Sequence, residues 1–235
     1  MEIYVGTSGW SYSWNPGGFD WYSLHSNLNA VELNMSFYAF PRRRQILSWA
    51  RKSRGRIRWA IKVNRIITHV YKLSEKSLNI WLKFKSIFNP LEDLIDFYLF
   101  QMPPSFRLNE TNVRRLEKFF HETNLGERFA LEVRDPSWIT NTFLERFTEL
   151  GLTLVSVDAP NFAWFVKTSS AVYLRAHGRT AWYAHRYTEE ELEELAAKII
   201  ELKPSRIYVF FNNNHDMLDN SREMIKILEN KLEKK

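Results

Sequence analysis

The chain has 235 residues, 45% hydrophobic and 15% aromatic, a composition that excludes a disordered chain and supplies enough apolar surface for one large core. It has no cysteine, which excludes a disulfide framework, thiolate catalysis and a thiolate metal site. A net charge of +6 points to anionic partners, nucleic acid among them, although solvated helix faces would account for it equally well.

The N-terminal MEIYVGTSGW lacks the basic stretch and apolar run of a signal peptide. No apolar run is long enough to span a bilayer, so a cytoplasmic protein with no membrane partner is expected. The first strand is expected at Ile3–Gly9, followed by the aromatic loop GWSYSWNPGGFDWY. Its Trp10, Tyr12 and Trp14 read either as rings for stacking on a sugar or base, or as a hydrophobic plug. Further strands are expected at Ala30–Phe37, Arg58–Asn64, Ile95–Met102, Phe129–Arg134, Leu152–Asp158, Ala171–His177 and Arg206–Asn213. Helical patterns fall between them. PRRRQILSWARKS has proline in its first turn, and ETNVRRLEKFFHETN and SWITNTFLERFTELG are amphipathic, the second stopping at Gly151. TEEELEELAAKIIELK has Thr188 as its N-cap, and DNSREMIKILENKLEKK closes the chain. The segments after the first and sixth strands look too short for full helices.

No linker or fixed-period repeat divides residues 1–235, which read as a single domain. Eight strand patterns alternating with helices imply parallel strands and right-handed crossovers. The predicted fold class is α/β, a compact TIM (β/α)8 barrel with a parallel eight-stranded core. A doubly wound open sheet is the alternative.

Side chains alternate along a strand, so Glu32 and Asn34 share one face, as do Lys62 and Asn64, Glu132 and Arg134, and Arg175 and His177. These faces turn polar toward the C-terminal end, where barrel enzymes build their sites. Thr7, Ser8, Gln101, Asp158, Asn212 and Asn213 end the remaining strands, and His69 follows the third strand in a loop expected at the mouth. Glu132, His177, Asp158 and Glu32 are the candidate catalytic groups. Lys62, Arg134 and Arg175 are candidates for holding an anion, though ion pairing with the glutamates is an equal reading of each. There is no P-loop, dinucleotide fingerprint, zincin motif or nucleophile elbow.

The ordered strings GTSGWSY, VELNMSFY, IKVNRIITH, FQMPPSF, LEVRDPSW, VDAP, YLRAHGR with AWYAHRY, and VFFNNN resemble the signatures of the domain of unknown function 72 (YecE-like) family over nearly the whole chain. The resemblance implies a TIM barrel of no established activity, with an analogy to endonuclease IV-like phosphodiesterases. Carried over by motif, the shared residues include Gly9, Phe37, Tyr38, Thr68, Pro103, Trp138, Gly178, Tyr183 and Tyr187 beside most of the strand-end residues above. The loop after the first strand departs from the family, with FDWY where Phe-Tyr-Pro is usual, and the chain looks short for it.

Three functions follow as expectations. The first is hydrolysis of a phosphoester or phosphodiester, possible in nucleic acid, with Arg134, Arg175 and Lys62 on the phosphate and His177 or Glu132 activating water. A divalent metal would sit on Glu132, Asp158 and His177; with only His69 and His177 near the mouth, a trinuclear zinc site is not expected. The second is a carbohydrate-active enzyme using Glu32 and Glu132, against which direct salt bridges to both glutamates would count. The third is a non-catalytic barrel that binds an anion or nucleic acid.

Overall fold

Short runs rich in β-branched and aromatic residues form strands near the expected places, the second ending at Leu33 before a 3-10 turn at Met35–Phe37. A computed structural model describes residues 1–53 and 55–233. The strands are β1 (Glu2–Thr7), β2 (Ala30–Leu33), β3 (Arg58–Lys62), β4 (Ile95–Gln101), β5 (Phe129–Glu132), β6 (Thr153–Leu154), β7 (Ser156–Ala159), β8 (Phe162–Trp164), β9 (Ala171–Ala176) and β10 (Arg206–Phe211). They form one sheet in the order β6-β5-β4-β3-β2-β1-β10-β9-β7-β8. Every pairing is parallel except β7 with β8.

The predicted sixth strand is interrupted at Val155. Its first part, β6, pairs with β5, and its second part, β7, pairs with β9. One continuous stretch thus joins the two arms of the sheet and curls it into a barrel, with Val155 N donating to Leu131 O at 2.8 Å. The sheet is barrel-like without being strictly eight-stranded: one stave is split, and β8 adds an antiparallel hairpin. β1 and β2 approach so closely that a Cβ on Gly6 would lie 2.1 Å from the Ala30 carbonyl oxygen.

The helices are α1 (Gly18–His25), α2 (Arg43–Ser53), α3 (Lys76–Ile87), α4 (Glu110–Thr123), α5 (Asn141–Leu150), α6 (Glu189–Glu201) and α7 (Met217–Glu233). Thr188 caps α6 in a full capping box with Glu191. Thr140 caps α5, so that helix starts later than the pattern suggests, and a short 3-10 turn at Pro136–Trp138 precedes it. α1 and α3 are additions to the sequence reading. Between β7 and β9 there is no helix, as the short segment implied. The expected end of α7 at 234–235 lies outside the described residues.

Residues in register on parallel strands face the same side of the sheet. Phe97 points inward, its ring 5.2 Å from that of Tyr173 and 4.8 Å from that of Tyr208. The same inward face carries Lys62 beside Leu99, Glu132 beside Gln101, and Arg175 beside Phe210. Large rings fill the layers below the mouth, each contributing about 1.5–3 kcal/mol by burial. A second apolar cluster forms where α6 and α7 cover β9, β10 and β1, and it includes Ala176, Tyr187, Leu195 and Met224.

Candidate functional site

Strand alternation and parallel register bring Glu32, Lys62, Glu132, Arg175 and His177 to the C-terminal end of the barrel interior. At the centre lies Arg175, which is fully buried, as are both glutamates. Its Nε donates to Glu32 Oε2 at 2.9 Å and its Nη2 to Oε1 at 2.7 Å, a bidentate pair. Its Nη1 donates to Glu132 Oε2. Glu32 also accepts from Ser8 Oγ at 2.8 Å and from the Tyr173 hydroxyl at 2.6 Å. Burial alone would raise both carboxyls, but Arg175 outweighs it at Glu32, and Arg134 and Arg175 together hold Glu132 well below the usual range. Both glutamates are therefore ionised and engaged.

Arg134 extends this layer toward solvent. Its Nε lies 2.5 Å from Glu132 Oε1, yet neither buried atom has an aligned hydrogen bond. Its guanidinium stacks on Trp182, 4.8 Å from the ring centroid. His177 is fully buried, with its ring 5.3 Å from that of Trp182. Burial and then the charge of Arg175 push it down to about 3, against the pull of Glu132, so the ring is neutral. Guanidinium nitrogens of Arg134 and Arg175 face its Nε2 at 3.2 and 3.4 Å, which makes Nε2 the acceptor. The proton then sits on Nδ1, 3.3 Å from the side-chain amide of Asn212.

Lys62 is partly buried, and its Nζ stands 4.4 Å from the centroid of the Phe37 ring. Burial and then Arg175 push the amine down to about 7, partly offset by Glu32 and Glu132. No described carboxylate lies within ion-pair distance of it, unlike Arg134 and Arg175. His69 packs edge-on against Phe37 at 4.9 Å, and burial followed by Lys62 lowers it to about 4. Asn34 Nδ2 donates to Ser8 O at 3.2 Å, while its buried Oδ1 has no partner among the described residues. Asn34, Ser8 and Tyr12 line a shallow pocket of 160 Å³ beside the mouth.

Several predicted residues stand elsewhere. Asp158 pairs in register with Ala176, whereas Val157 pairs with Arg175, so Asp158 faces the helices. There it accepts from the Tyr187 hydroxyl at 2.7 Å and from Arg179 Nε at 3.3 Å. Tyr187 is accordingly part of the scaffold. Thr7 donates to Gly9 O at 2.6 Å and contacts the Tyr22 hydroxyl, again on the outer face. Asn213 donates to His185 O and Asn220 Oδ1, at 2.7 and 2.9 Å. Trp10 is wedged among Phe19, Trp49 and Trp59, with ring centroids 4.9, 5.3 and 5.6 Å away. At 8% exposure it is a plug. Gln101 is in register with Glu132 at the rim.

The metal expectation fails on donor geometry. Among the described residues no group of three or more His, Asp or Glu is arranged to hold a metal ion. Glu132 and His177 face arginines inside the barrel, while Asp158 faces outward. The carbohydrate reading meets the salt bridges that count against it, since both glutamates are paired to Arg175.

Trp182 lies in AWYAHRY, a segment whose local spacing carries no signal of a return to the mouth. Gly178, at φ +107°, turns the chain back, and Tyr183 N donates to His177 O at 2.8 Å. Tyr183, itself at φ +62°, sets its ring edge-on to His177 at 5.6 Å. Tyr173 shares the inner face with Arg175 by strand alternation, and only the tertiary structure brings its hydroxyl to Glu32.

A family model described as a protein of unknown function, DUF72, matches residues 4–235. UPF0759 protein YunF of Bacillus subtilis (strain 168) is 26% identical over 271 residues, covering 97% of this chain and 95% of its own. The crystal structure of a DUF72 family protein from Thermotoga maritima MSB8 superposes with a TM-score of 0.85 at 28% identity, covering 97% of this chain and 100% of that one. A DUF72 family protein from Enterococcus faecalis V583 superposes with a TM-score of 0.82 at 23% identity, covering 97% and 95%. A family match over nearly the full length, joined to the same curled parallel sheet, settles the relationship: the chain belongs to the DUF72 family.

Proposed function

We propose that the barrel mouth binds a small anion, with phosphoesters as the ligand class. The observation that carries this is the charge balance. Glu32 and Glu132 are matched by Arg175 and Arg134, and Lys62 stands beside them with no described carboxylate as partner. A protonated Lys62 leaves the mouth with one surplus positive charge in a poorly hydrated place, which an anion would offset. Trp182 and Phe37 wall the site, and Asn34 Oδ1 offers an unsatisfied acceptor for a ligand hydroxyl.

Sulfate is the cleanest probe, because its charge is constant between pH 6 and 8. If only protonated Lys62 binds, an amine at about 7 should weaken sulfate about tenfold over that range. Calorimetry should show this in the wild type, with weaker and pH-independent binding in Lys62→Met. Failure to bind at millimolar sulfate, or a Lys62→Met variant that binds like the wild type, rejects the proposal.

A second reading, phosphoester hydrolysis, draws on the same amine. Near neutrality Lys62 exists in both protonation states, as a general base requires, whereas neither glutamate is free to act. Water would add to phosphorus, giving a proton to Lys62 Nζ, as the ester P–O bond breaks and the leaving oxygen takes a proton from solvent; Lys62 then returns its proton to solvent. At saturating p-nitrophenyl phosphate, where weaker binding no longer matters, turnover that rises with pH above about 7 and vanishes in Lys62→Met supports it. No turnover in the wild type leaves the mouth as a binding site alone.

A further inference from the structure

We propose that the cleft between α3 and α4, outside the barrel mouth, binds the phosphate backbone of single-stranded nucleic acid. The cleft has a volume of about 630 Å³. Five cations line it, Lys72, Lys76, Arg114, Arg115 and Lys118, against one carboxylate, Glu75. The lining thus carries a local formal surplus of four positive charges.

Two of the five are already engaged. Lys118 Nζ lies 2.6 Å from Glu75, and Arg114 lies 3.3 Å from Glu110. Lys72, Lys76 and Arg115 form no ion pair among the described residues. Three like charges around one hollow repel each other, and a bound polyanion would relieve that. The backbone holds them there. Lys72 and Leu73 are consecutive residues in the left-handed region, at φ 45° and 57°, a conformation unfavourable for residues with side chains. Leu73 is 2% exposed, and its N–H donates to Ile67 O at 3.1 Å. Anchoring Leu73 in the core turns Lys72 toward the cleft. The first turns of α3 and α4, at Lys76 and Thr111, reach the same hollow and add their positive dipole ends.

The chemistry selects the occupant. A phosphodiester strand carries one charge per nucleotide at regular spacing and is held by flexible, exposed lysines and arginines with little demand for exact geometry. Tyr71 lies in the lining and offers a ring face for base stacking. A hollow of this size admits a single strand, while a duplex would touch only its rim. The proposal does not depend on the mouth reading.

The test is fluorescence anisotropy with a fluorescein-labelled oligodeoxythymidylate of about 15 nucleotides. Three to four phosphate contacts predict that log Kd rises with log salt with a slope of about 2 to 3. Lys76→Glu and Arg115→Glu should each weaken binding about tenfold. Lys226→Glu makes the same change in net charge as Lys76→Glu on exposed α7, which packs on β1 and β10, and should leave binding within about twofold. Equal losses in Lys76→Glu and Lys226→Glu would reduce the effect to net charge and overturn the site. So would the absence of binding at low salt. Displacement of the strand by polyglutamate of equal charge at equal concentration would also overturn it, in favour of an acidic protein partner. Sulfate affinity should be unchanged in Lys76→Glu, so failure of the cleft and failure of the mouth are separately visible.

Discussion

Arg175 decides what the mouth can be. Buried between two carboxylates, it makes them a compensated layer and removes both from acid chemistry. Replacing it with methionine leaves Glu32 without its ionic partner and Glu132 with Arg134 alone, and breaking a buried pair in this way typically costs about 3–5 kcal/mol. Urea denaturation should show a loss of that size in Arg175→Met, and adding Glu32→Gln and Glu132→Gln should recover part of it. A near-neutral single variant would mean that solvent reaches the glutamates. The alternation of small, aromatic and polar residues was sufficient to put Arg175, Glu32, Glu132 and Lys62 on one inner face. It was insufficient for Asp158, because a strand broken at Val155 and paired through Val157 turns Asp158 outward.

At the scale of elements, the loop 178–187 completes the mouth. Gly178 permits φ +107°, and a Cβ there would meet the Ala181 carbonyl oxygen at 2.6 Å and His185 Cβ at 2.8 Å. His185 is in turn tied to Glu191 at the start of α6, 2.9 Å away. Gly178→Ala should therefore displace Trp182 from Arg134 and lower stability by about 1–3 kcal/mol. Tryptophan fluorescence and a denaturation curve would register both effects, and an unchanged spectrum would show that the loop tolerates the side chain. Elements with local signals were legible: α6 announces itself through Thr188, and α5 stops at Gly151, which adopts φ +74°. α1 was not legible, because Gly17 and Gly18 read as a loop and the helix forms to bury Phe19 and Tyr22. α3 was not legible either, since only the fold shows which side of KSLNIWLKFKSI carries Trp81 and Phe84 inward.

For the whole molecule, the buried groups that titrate below about pH 9 act in one direction, while buried Tyr22, Tyr98, Tyr173, Tyr187 and Tyr208, all raised chiefly by burial, oppose them as the unfolded phenols ionise near pH 10. His177 falls to about 3 in the folded chain against about 6.5 unfolded, so between those values only the unfolded chain takes the proton and stability is lost as pH drops. Glu32 and Glu132 are lowered, so their contribution is present above about 4.3 and is lost as pH falls through the folded values. Lys62, at about 7 against about 10.4 unfolded, costs stability as pH drops between those values. Unfolding free energy should therefore rise from pH 4 to about 9. Lys62→Met should flatten the limb above pH 7 and leave the acid limb intact. A maximum near pH 6 in the wild type would contradict these assignments. Among the described residues no helix is long and apolar enough to cross a membrane.

By itself the sequence determined the barrel-like α/β class, the place and parallel direction of most staves and the chemistry concentrated at one end, because periodicity and capping are local and side-chain alternation follows from the backbone. Only the tertiary structure decided how that chemistry is spent. Which carboxylate meets Arg175, which way Asp158 turns, and whether Trp10 or Trp182 stands at the mouth depend on register and on loops returning from distant positions. The cleft between α3 and α4 belongs to the same class, since its cations come from segments about forty residues apart that no local pattern joins.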